Sequence, residues 1–266
     1  MRRRLSIPRP LDVARVLDAR RAGGLVAIFD LDGTLAPIAP TPAAARVPVS
    51  TRRALRRLGR RADSTVGVVS GRPLADLMRL VGRRNTWLAG VHGAARRAPD
   101  GRVQRLWSAS SARVSAELAR TLAAALDDVR GVVIERKGPV VAVHVRAATP
   151  AGRAHALNVV MAARTEGWSL LQGRRVLELR PNGLPTKGDA VEWIAATRSD
   201  ASILYVGDDA TDEDAFRVLR RTDFPVRVDA RRARSERARA GTGTWARFAL
   251  PDTTAVARLI ERLAEP

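Results

Sequence analysis

Leu25-Val26-Ala27-Ile28-Phe29-Asp30-Leu31-Asp32-Gly33-Thr34 is the stretch that decides the fold. An apolar run ends abruptly in two carboxylates, a glycine and a threonine. The run reads as a buried strand, and the polar residues as the loop at its carboxyl end. Carboxylates two residues apart at such a place can project into one pocket. Like charges that close need a cation, or one of them must hold a proton. Magnesium accepts hard oxygen ligands and leaves room for waters and a phosphate. Gly33 allows a sharp turn and close backbone approach. The pattern points to phosphoryl chemistry; the competing reading is a structural turn.

Two more apolar runs have the same form, 66–69 before Ser70 and 203–206 before Gly207. Helices are expected over 50–58, 73–81 and 212–219. Short apolar strands alternating with helices predict a Rossmann-like α/β core, a parallel sheet with helices on both faces. Chemistry in such sheets collects beyond the carboxyl ends of the strands, where all three polar clusters would lie.

The middle of the chain reads differently. A helix is expected over 111–129, strands over 132–137 and 140–146 around Lys137-Gly138-Pro139, and a second helix over 149–166 capped by Thr149 with Pro150 in its first turn. Strands over 168–171 and 174–180 flank Gln172-Gly173. An αββαββ block thus interrupts the core. The expected domains are core 1–100, an inserted α+β cap 101–183, and core 184–266. Period-two alternation places Ile134, Val141, Val143, Val145, Leu177 and Leu179 on one sheet face. Glu135, Lys137, His144, Arg146, Glu178 and Arg180 fall on the other. That polar face is either a solvated surface or, because the block is spliced into a catalytic domain, a cap surface that meets substrate.

Three further motifs bear on chemistry. Ser70-Gly71-Arg72 offers a hydroxyl and backbone N–H groups near a helix start, suited to a phosphoryl oxygen or to an ordinary loop. Lys187, in Thr186-Lys187-Gly188-Asp189, precedes a helix and can neutralise phosphate and nucleophile, or be a surface lysine. In Gly207-Asp208-Asp209-Ala210-Thr211-Asp212-Glu213-Asp214, Asp208 and Asp209 follow a buried strand and suit a metal. The later acids are accounted for by the macrodipole at a helix N-terminus.

Composition narrows the classes. With 266 residues, 45% of them hydrophobic, the chain can bury a substantial core. No apolar run is long enough for a membrane span. The basic start lacks the apolar segment of a secretory signal, so a cytoplasmic protein is expected. The absence of cysteine excludes disulfides, thiolate metal sites and a Cys nucleophile. A serine hydrolase is disfavoured because no G-x-S-x-G occurs. The net charge of +20 raises a nucleic-acid reading, but the arginines are scattered and no basic stripe carries interleaved aromatics. No specific nucleic-acid partner and no membrane partner is expected, and 231–239 reads as a solvated arginine-rich surface. Of 47 basic residues only Lys137 and Lys187 are lysines, and both fall in the motifs above. A compact ammonium on a flexible stem does what a guanidinium cannot.

The order DxDGT, SGR, Lys, GDD resembles the haloacid dehalogenase-like (HAD) phosphatases. Finer features look like the trehalose-6-phosphate phosphatase family: Leu88-Ala89-Gly90-Val91-His92-Gly93-Ala94, Val141-Ala142-Val143-His144-Val145-Arg146, Leu177-Glu178-Leu179-Arg180-Pro181 and Gly207-Asp208-Asp209-Ala210-Thr211-Asp212-Glu213. The likeness runs from about Ala27 to the C-terminal helix and includes 241–245. Where many relatives carry a glutamate after His92-Gly93, this chain has Ala95.

The resemblance implies a monomeric, Mg²⁺-dependent phosphatase that acts on trehalose 6-phosphate through an aspartyl phosphate. It implies Asp30 as nucleophile, Asp32 as proton donor and acceptor, and Ser70 and Lys187 on the phosphoryl oxygens. Mg²⁺ would be held by Asp30, the Asp32 carbonyl and Asp208, with Asp209 close behind. Substrate contacts would come from Gly71, Arg72, His92, Glu135, Lys137, His144, Arg146, Glu178 and Arg180. The alternatives are a HAD phosphatase for another sugar phosphate, such as a sucrose or glucosylglycerol phosphate, and a basic nucleic-acid-binding protein.

Overall fold

The computed structural model of the chain describes residues 8–173, 175–228 and 243–266. The arginine-rich stretch 231–239, Arg174 and residues 241–242 lie outside them. Two compact units emerge, Met1–Gln104 with Pro185–Pro266, and Arg105–Leu184.

The first unit begins with β1 (Arg9–Pro10), α1 (Val13–Gly23), β2 (Leu25–Phe29), α2 (Val49–Leu58), β3 (Ser64–Val69), α3 (Leu74–Leu80), β4 (Trp87–Gly90), β5 (Ala95–Arg97) and β6 (Val103–Arg105). The second unit contains α4 (Ala109–Ala125), β7 (Val133–Lys137), β8 (Val140–His144), α5 (Pro150–Ala162), β9 (Trp168–Gly173) and β10 (Val176–Pro181). The first unit resumes with α6 (Lys187–Ala195), β11 (Ser202–Gly207), α7 (Asp212–Val218), β12 (Phe224–Val228), β13 (Phe248–Leu250) and α8 (Thr253–Leu263).

The large sheet has the order β1-β13-β12-β11-β2-β3-β4-β5-β6. From β1 to β4 every pairing is parallel, and β5 turns back antiparallel on β4. β2 lies in the middle, and its period-two alternation explains its continuous apolar sequence. Leu25, Ala27 and Phe29 pack in one cluster with Val16 of α1, Leu55 of α2, Leu77 of α3 and Leu259 of α8. Val26 and Ile28 pack in another with Val191 and Ile194 of α6 and Phe216 of α7. A strand covered on both faces has no solvent side to make polar. Burying each large aliphatic or aromatic side chain contributes roughly 1.5–3 kcal/mol. The expected parallel sheet, with helices on both faces, is present.

The second unit is an antiparallel sheet of order β7-β8-β10-β9. Ile134↔Val143↔Leu177 and Arg136↔Val141↔Leu179 are cross-strand neighbours. Val141, Val143, Leu177 and Leu179 pack with Leu118 and Leu122 of α4 and Ala156 and Val160 of α5. The other face carries the rows Glu135↔Ala142↔Glu178 and Lys137↔Val140. The helices differ from expectation at their ends. Ser108 starts α4 early, its hydroxyl accepting from Ser111 N at 3.1 Å, and the helix stops before Asp127-Asp128, acids that a helix C-terminus disfavours. Thr149 caps α5 as expected, accepting from Gly152 N at 3.0 Å, but the helix ends at Ala162.

Candidate active site

The carboxyl ends of β2, β3 and β11 and the amino end of α6 supply the first unit's polar cluster. Asp30 follows β2 and keeps its ladder bond, Asp30 N donating to Val206 O at 2.8 Å. Lys187 is the first residue of α6, and its place is set by a capping box. Thr186 N donates to Asp189 Oδ2 at 2.7 Å, and Asp189 N donates to Thr186 Oγ1 at 3.4 Å. Lys187 Nζ donates at 2.7 Å to Asp30 Oδ1 and at 2.7 Å to Asp212 Oδ1. Lys187 is 3% exposed, Asp30 4% and Asp212 0%. A lysine this buried persists because two carboxylates hold it.

Ligand atoms of Asp30, Asp208 and Asp212 lie within 4.8 Å of one another. Asp212, read from the sequence as helix-terminal charge, is thus at the centre of the cluster. Its Oδ1 also accepts from Tyr205 OH at 2.6 Å, and its Oδ2 accepts from Asp209 N at 2.9 Å. Asp209, expected beside Asp208 in the metal set, is not one of this carboxylate group. Its Oδ1 accepts from the neighbouring Ala210 N at 2.8 Å, which turns it into the loop.

Three carboxylates share one ammonium, and the electrostatics register the surplus. Burial raises Asp30 well above the usual carboxylate range; the Lys187 charge opposes this and the Asp212 and Asp208 charges add to it. Burial, together with Asp212 and Asp209, pushes Asp208 up to about 7. Burial alone would lower Lys187, but the charges of Asp212 and Asp30 outweigh it and raise the ammonium above its usual value. Both shifts are upward, which favours the charged form of Lys187 but the neutral form of Asp30. The physical resolution is an ionised Lys187 in a cluster still short of positive charge. Burial, then the Asp212 and Asp30 charges, also push Tyr205 up, so it stays a phenol donor.

A hard divalent cation fits this arrangement. Asp208 Oδ1 is buried without a hydrogen-bond partner. Gly33 has φ +88°, and a Cβ there would stand 2.2 Å from Asp208 Oδ2, so only glycine leaves the carboxylate its place. The donors are all oxygens, which suits Mg²⁺.

Asp32 is turned to the SGR loop. Arg72 Nε and Nη2 donate to Asp32 Oδ2 and Oδ1 at 2.6 and 2.8 Å, a bidentate pair, while Nη1 donates to Pro42 O at 2.8 Å. Ser70 Oγ accepts from Arg72 N at 3.2 Å. The loop is stitched to the next one by His92 N to Ser70 O and Val91 N to Arg72 O, both 2.9 Å. His92, held in a left-handed conformation at φ 56°, lays its ring against Gly71. A Cβ on Gly71 would come 2.6 Å from His92 Nε2.

The second unit has a polar cluster of its own. Lys137 Nζ donates to Glu178 Oε1 at 2.7 Å and lies 3.9 Å from Glu135 Oε2. Glu135 Oε2 is 2.7 Å from His144 Nε2. Small Ala142, between Glu135 and Glu178 in register, leaves room for the bridge. Burial works to raise Glu135, but the His144 hydrogen bond and the Lys137 charge outweigh it and bring it below the usual range. Arg180 Nη2 donates to Leu184 O at 2.7 Å, and the Arg146 carbonyl accepts from Arg175 Nη1 at 3.4 Å. Both lysines of the chain are therefore buried in carboxylate pairs.

Sequence reasoning passed over Tyr205 and Arg227, and read Glu213 as charge at a helix N-terminus. Tyr205 is the single tyrosine, and a hydroxyl inside a buried strand needs a partner. Arg227 of β12 donates through Nη1 to Glu213 Oε1 at 3.0 Å and through Nη2 to Asp208 O at 2.7 Å. Glu213 also accepts from Thr244 Oγ1 at 2.7 Å and Trp245 N at 2.9 Å. Among these, only the TDE spacing of Glu213 carried a signal.

The trehalose-phosphatase family profile matches residues 28–246, a span that contains every element of both clusters. The chain belongs to the trehalose-phosphatase family. An uncharacterized glycosyl hydrolase of Mycobacterium tuberculosis is 38% identical over 236 residues, 84% of this chain and 17% of that protein. A trehalose-phosphate phosphatase of Mycobacterium avium is 39% identical over 247 residues, 89% of this chain and 61% of the relative. The chain therefore spans less than two thirds of the length of either. The C-terminal domain of a Candida albicans trehalose-6-phosphate phosphatase superposes with TM-score 0.80 at 22% identity, covering 98% of this chain and 99% of that one. The fold is of the kind expected from the strand-end motifs, and a phosphatase of the HAD superfamily from Bacteroides thetaiotaomicron also superposes, with TM-score 0.56 at 15% identity, covering 89% of this chain and 93% of that one. Among the described residues, no helix of this family member is long and apolar enough to cross a membrane.

Proposed function

We propose that the chain hydrolyses trehalose 6-phosphate to trehalose and phosphate, with Asp30 as covalent nucleophile. The observation that carries this is the buried Asp30–Lys187–Asp212 arrangement beside Asp208, in a chain of this family. With Oδ1 held by Lys187, Asp30 presents its carboxylate in one orientation. An Asp30 oxygen bonds to phosphorus as the bond from phosphorus to the sugar oxygen breaks. The leaving oxygen takes a proton from Asp32. Water then attacks the aspartyl phosphate, gives its proton back to Asp32, and free phosphate leaves with the Asp30 carboxylate restored. Acting on these oxygens requires the Asp32 side chain to leave Arg72, its partner in the structure. Lys187 and Ser70 offset charge on the phosphoryl oxygens.

Mg²⁺, held by Asp30, Asp208 and Asp212 with the Asp32 carbonyl, would supply positive charge to the phosphoryl group and the carboxylates. In the second unit, Lys137, Glu178, Glu135 and His144, with Arg146 and Arg180, are proposed to hydrogen-bond the sugar hydroxyls. The deciding experiment is phosphate release from trehalose 6-phosphate, sucrose 6-phosphate and glucosylglycerol phosphate, each with Mg²⁺ and with EDTA. A clear preference for trehalose 6-phosphate that needs the metal supports the reading. Preference for another sugar phosphate reassigns the substrate, and activity in chelator removes the metal.

A further inference from the structure

Apart from Arg52, the described arginines of the first unit that are not exposed find an acceptor, either an acid or a backbone carbonyl. Arg20 meets Asp63, Arg72 meets Asp32, and Arg227 meets Glu213. One place in the first unit departs from that habit. A cavity of about 360 Å³ is lined by Arg52, Arg56, Arg83 and Arg84 together with Leu55 and Val81, and no acid lines it. Arg52 and Arg56 lie one turn apart on α2, a like-charged spacing that disfavours a helix. Arg52 also falls in the first turn of α2, which has no acidic residue and where the macrodipole disfavours a cation. Arg83 and Arg84 come from the loop 81–86. Among the described residues none of the four makes an ion pair, and Arg52 Nε is buried with no hydrogen-bond partner. Buried donors are almost always satisfied, so this one lacks an acceptor that a ligand can bring.

The location separates this cavity from the proposed chemistry. Asp30, Ser70 and Asp208 lie beyond the carboxyl ends of β2, β3 and β11, whereas loop 81–86 leads into the amino end of β4. The lining also restricts the occupant. Guanidinium forks match phosphate oxygens in pairs. No aromatic side chain offers a stacking face for a nucleobase. The volume lies near the low end of the range for small-ligand sites, about 300–1,000 Å³. We propose that this pocket is a second anion site, which binds a small compound carrying two or more phosphoryl groups.

Calorimetric titration of the whole chain with inorganic pyrophosphate, in EDTA and at physiological salt, tests this. Without its cation, the carboxylate cluster at the proposed active site repels the probe. Wild type is expected to bind one equivalent. The double variant Arg83→Ser/Arg84→Ser, changed at exposed positions, should bind at least about tenfold more weakly, since two bidentate partners are gone. The double variant Arg53→Ser/Arg57→Ser removes the same charge from α2 outside the pocket and should stay within about twofold. Circular dichroism and phosphatase activity of both variants check that the fold is kept. Equal weakening in the two variants would mean diffuse surface charge and overturn the proposal. So would an absence of binding, binding indifferent to Arg83 and Arg84, or a bound single-stranded oligonucleotide that pyrophosphate cannot displace.

Discussion

Replacing Asp212 by asparagine isolates the least expected member of the carboxylate cluster. Asp212 accepts three hydrogen bonds in full burial, from Lys187 Nζ, Tyr205 OH and Asp209 N. Asparagine has nearly the same shape but one acceptor oxygen and one donor nitrogen. If its oxygen stays toward Lys187 and Tyr205, the amide nitrogen meets the Asp209 N–H, donor against donor. If the amide flips, the nitrogen meets the Lys187 ammonium instead. At least one buried donor is stranded in either orientation, which costs about 1–3 kcal/mol. Asp30 is then the one carboxylate left to Lys187, and the cluster loses a unit of negative charge that Mg²⁺ would balance. Asp212→Asn should therefore lower kcat/KM on trehalose 6-phosphate by about 10–100-fold at saturating Mg²⁺. The Mg²⁺ concentration for half-maximal activity should also rise. Phosphate release across a Mg²⁺ titration measures both, with circular dichroism as control. Activity within about twofold of wild type at every Mg²⁺ concentration would refute the placement of Asp212 in the working site.

Asp208→Ala should raise the Mg²⁺ requirement, and EDTA should silence wild type until Mg²⁺ is restored; a Mg²⁺ titration checks both. Glu178→Ala should lower kcat/KM on trehalose 6-phosphate by roughly 10–100-fold, since each lost contact in a partly dry site costs about 1–3 kcal/mol. Its rate on a small aryl phosphate should hardly change, and an equal loss on both substrates would reassign Glu178 to the chemistry or the fold. The basic surface should leave no footprint on a defined DNA site at physiological salt; a surviving footprint would contradict this.

How much was legible followed from how local each signal was. β2 and its DxDGT loop could be read because burial on both faces leaves an unbroken apolar run, and the turn after it needs glycine. The two lysines stood out against an arginine background, and both proved buried between carboxylates. The polar rows of β7, β8 and β10 followed from period-two alternation, which survives errors of a residue or two at strand ends. Asp212 was not legible as a cluster member because acids at a helix N-terminus already have an electrostatic explanation. Only the fold of the 207–212 loop shows that Asp208 and Asp212 turn into the cluster and Asp209 does not. Tyr205 hid in an apolar run, where an aromatic ring accounts for itself by packing. The Arg52–Arg84 pocket joins segments about thirty residues apart, which no local pattern connects.

The central claim is that Asp30 is a covalent nucleophile. The most direct measurement is phosphate release from trehalose 6-phosphate by wild type and Asp30→Asn, side by side in Mg²⁺, with circular dichroism on both. The amide keeps the shape and can still meet its neighbours, but it is a poor nucleophile. The account predicts an unchanged spectrum and activity lower by several powers of ten, because the covalent route is lost. A folded Asp30→Asn that keeps more than about a tenth of wild-type activity would contradict it.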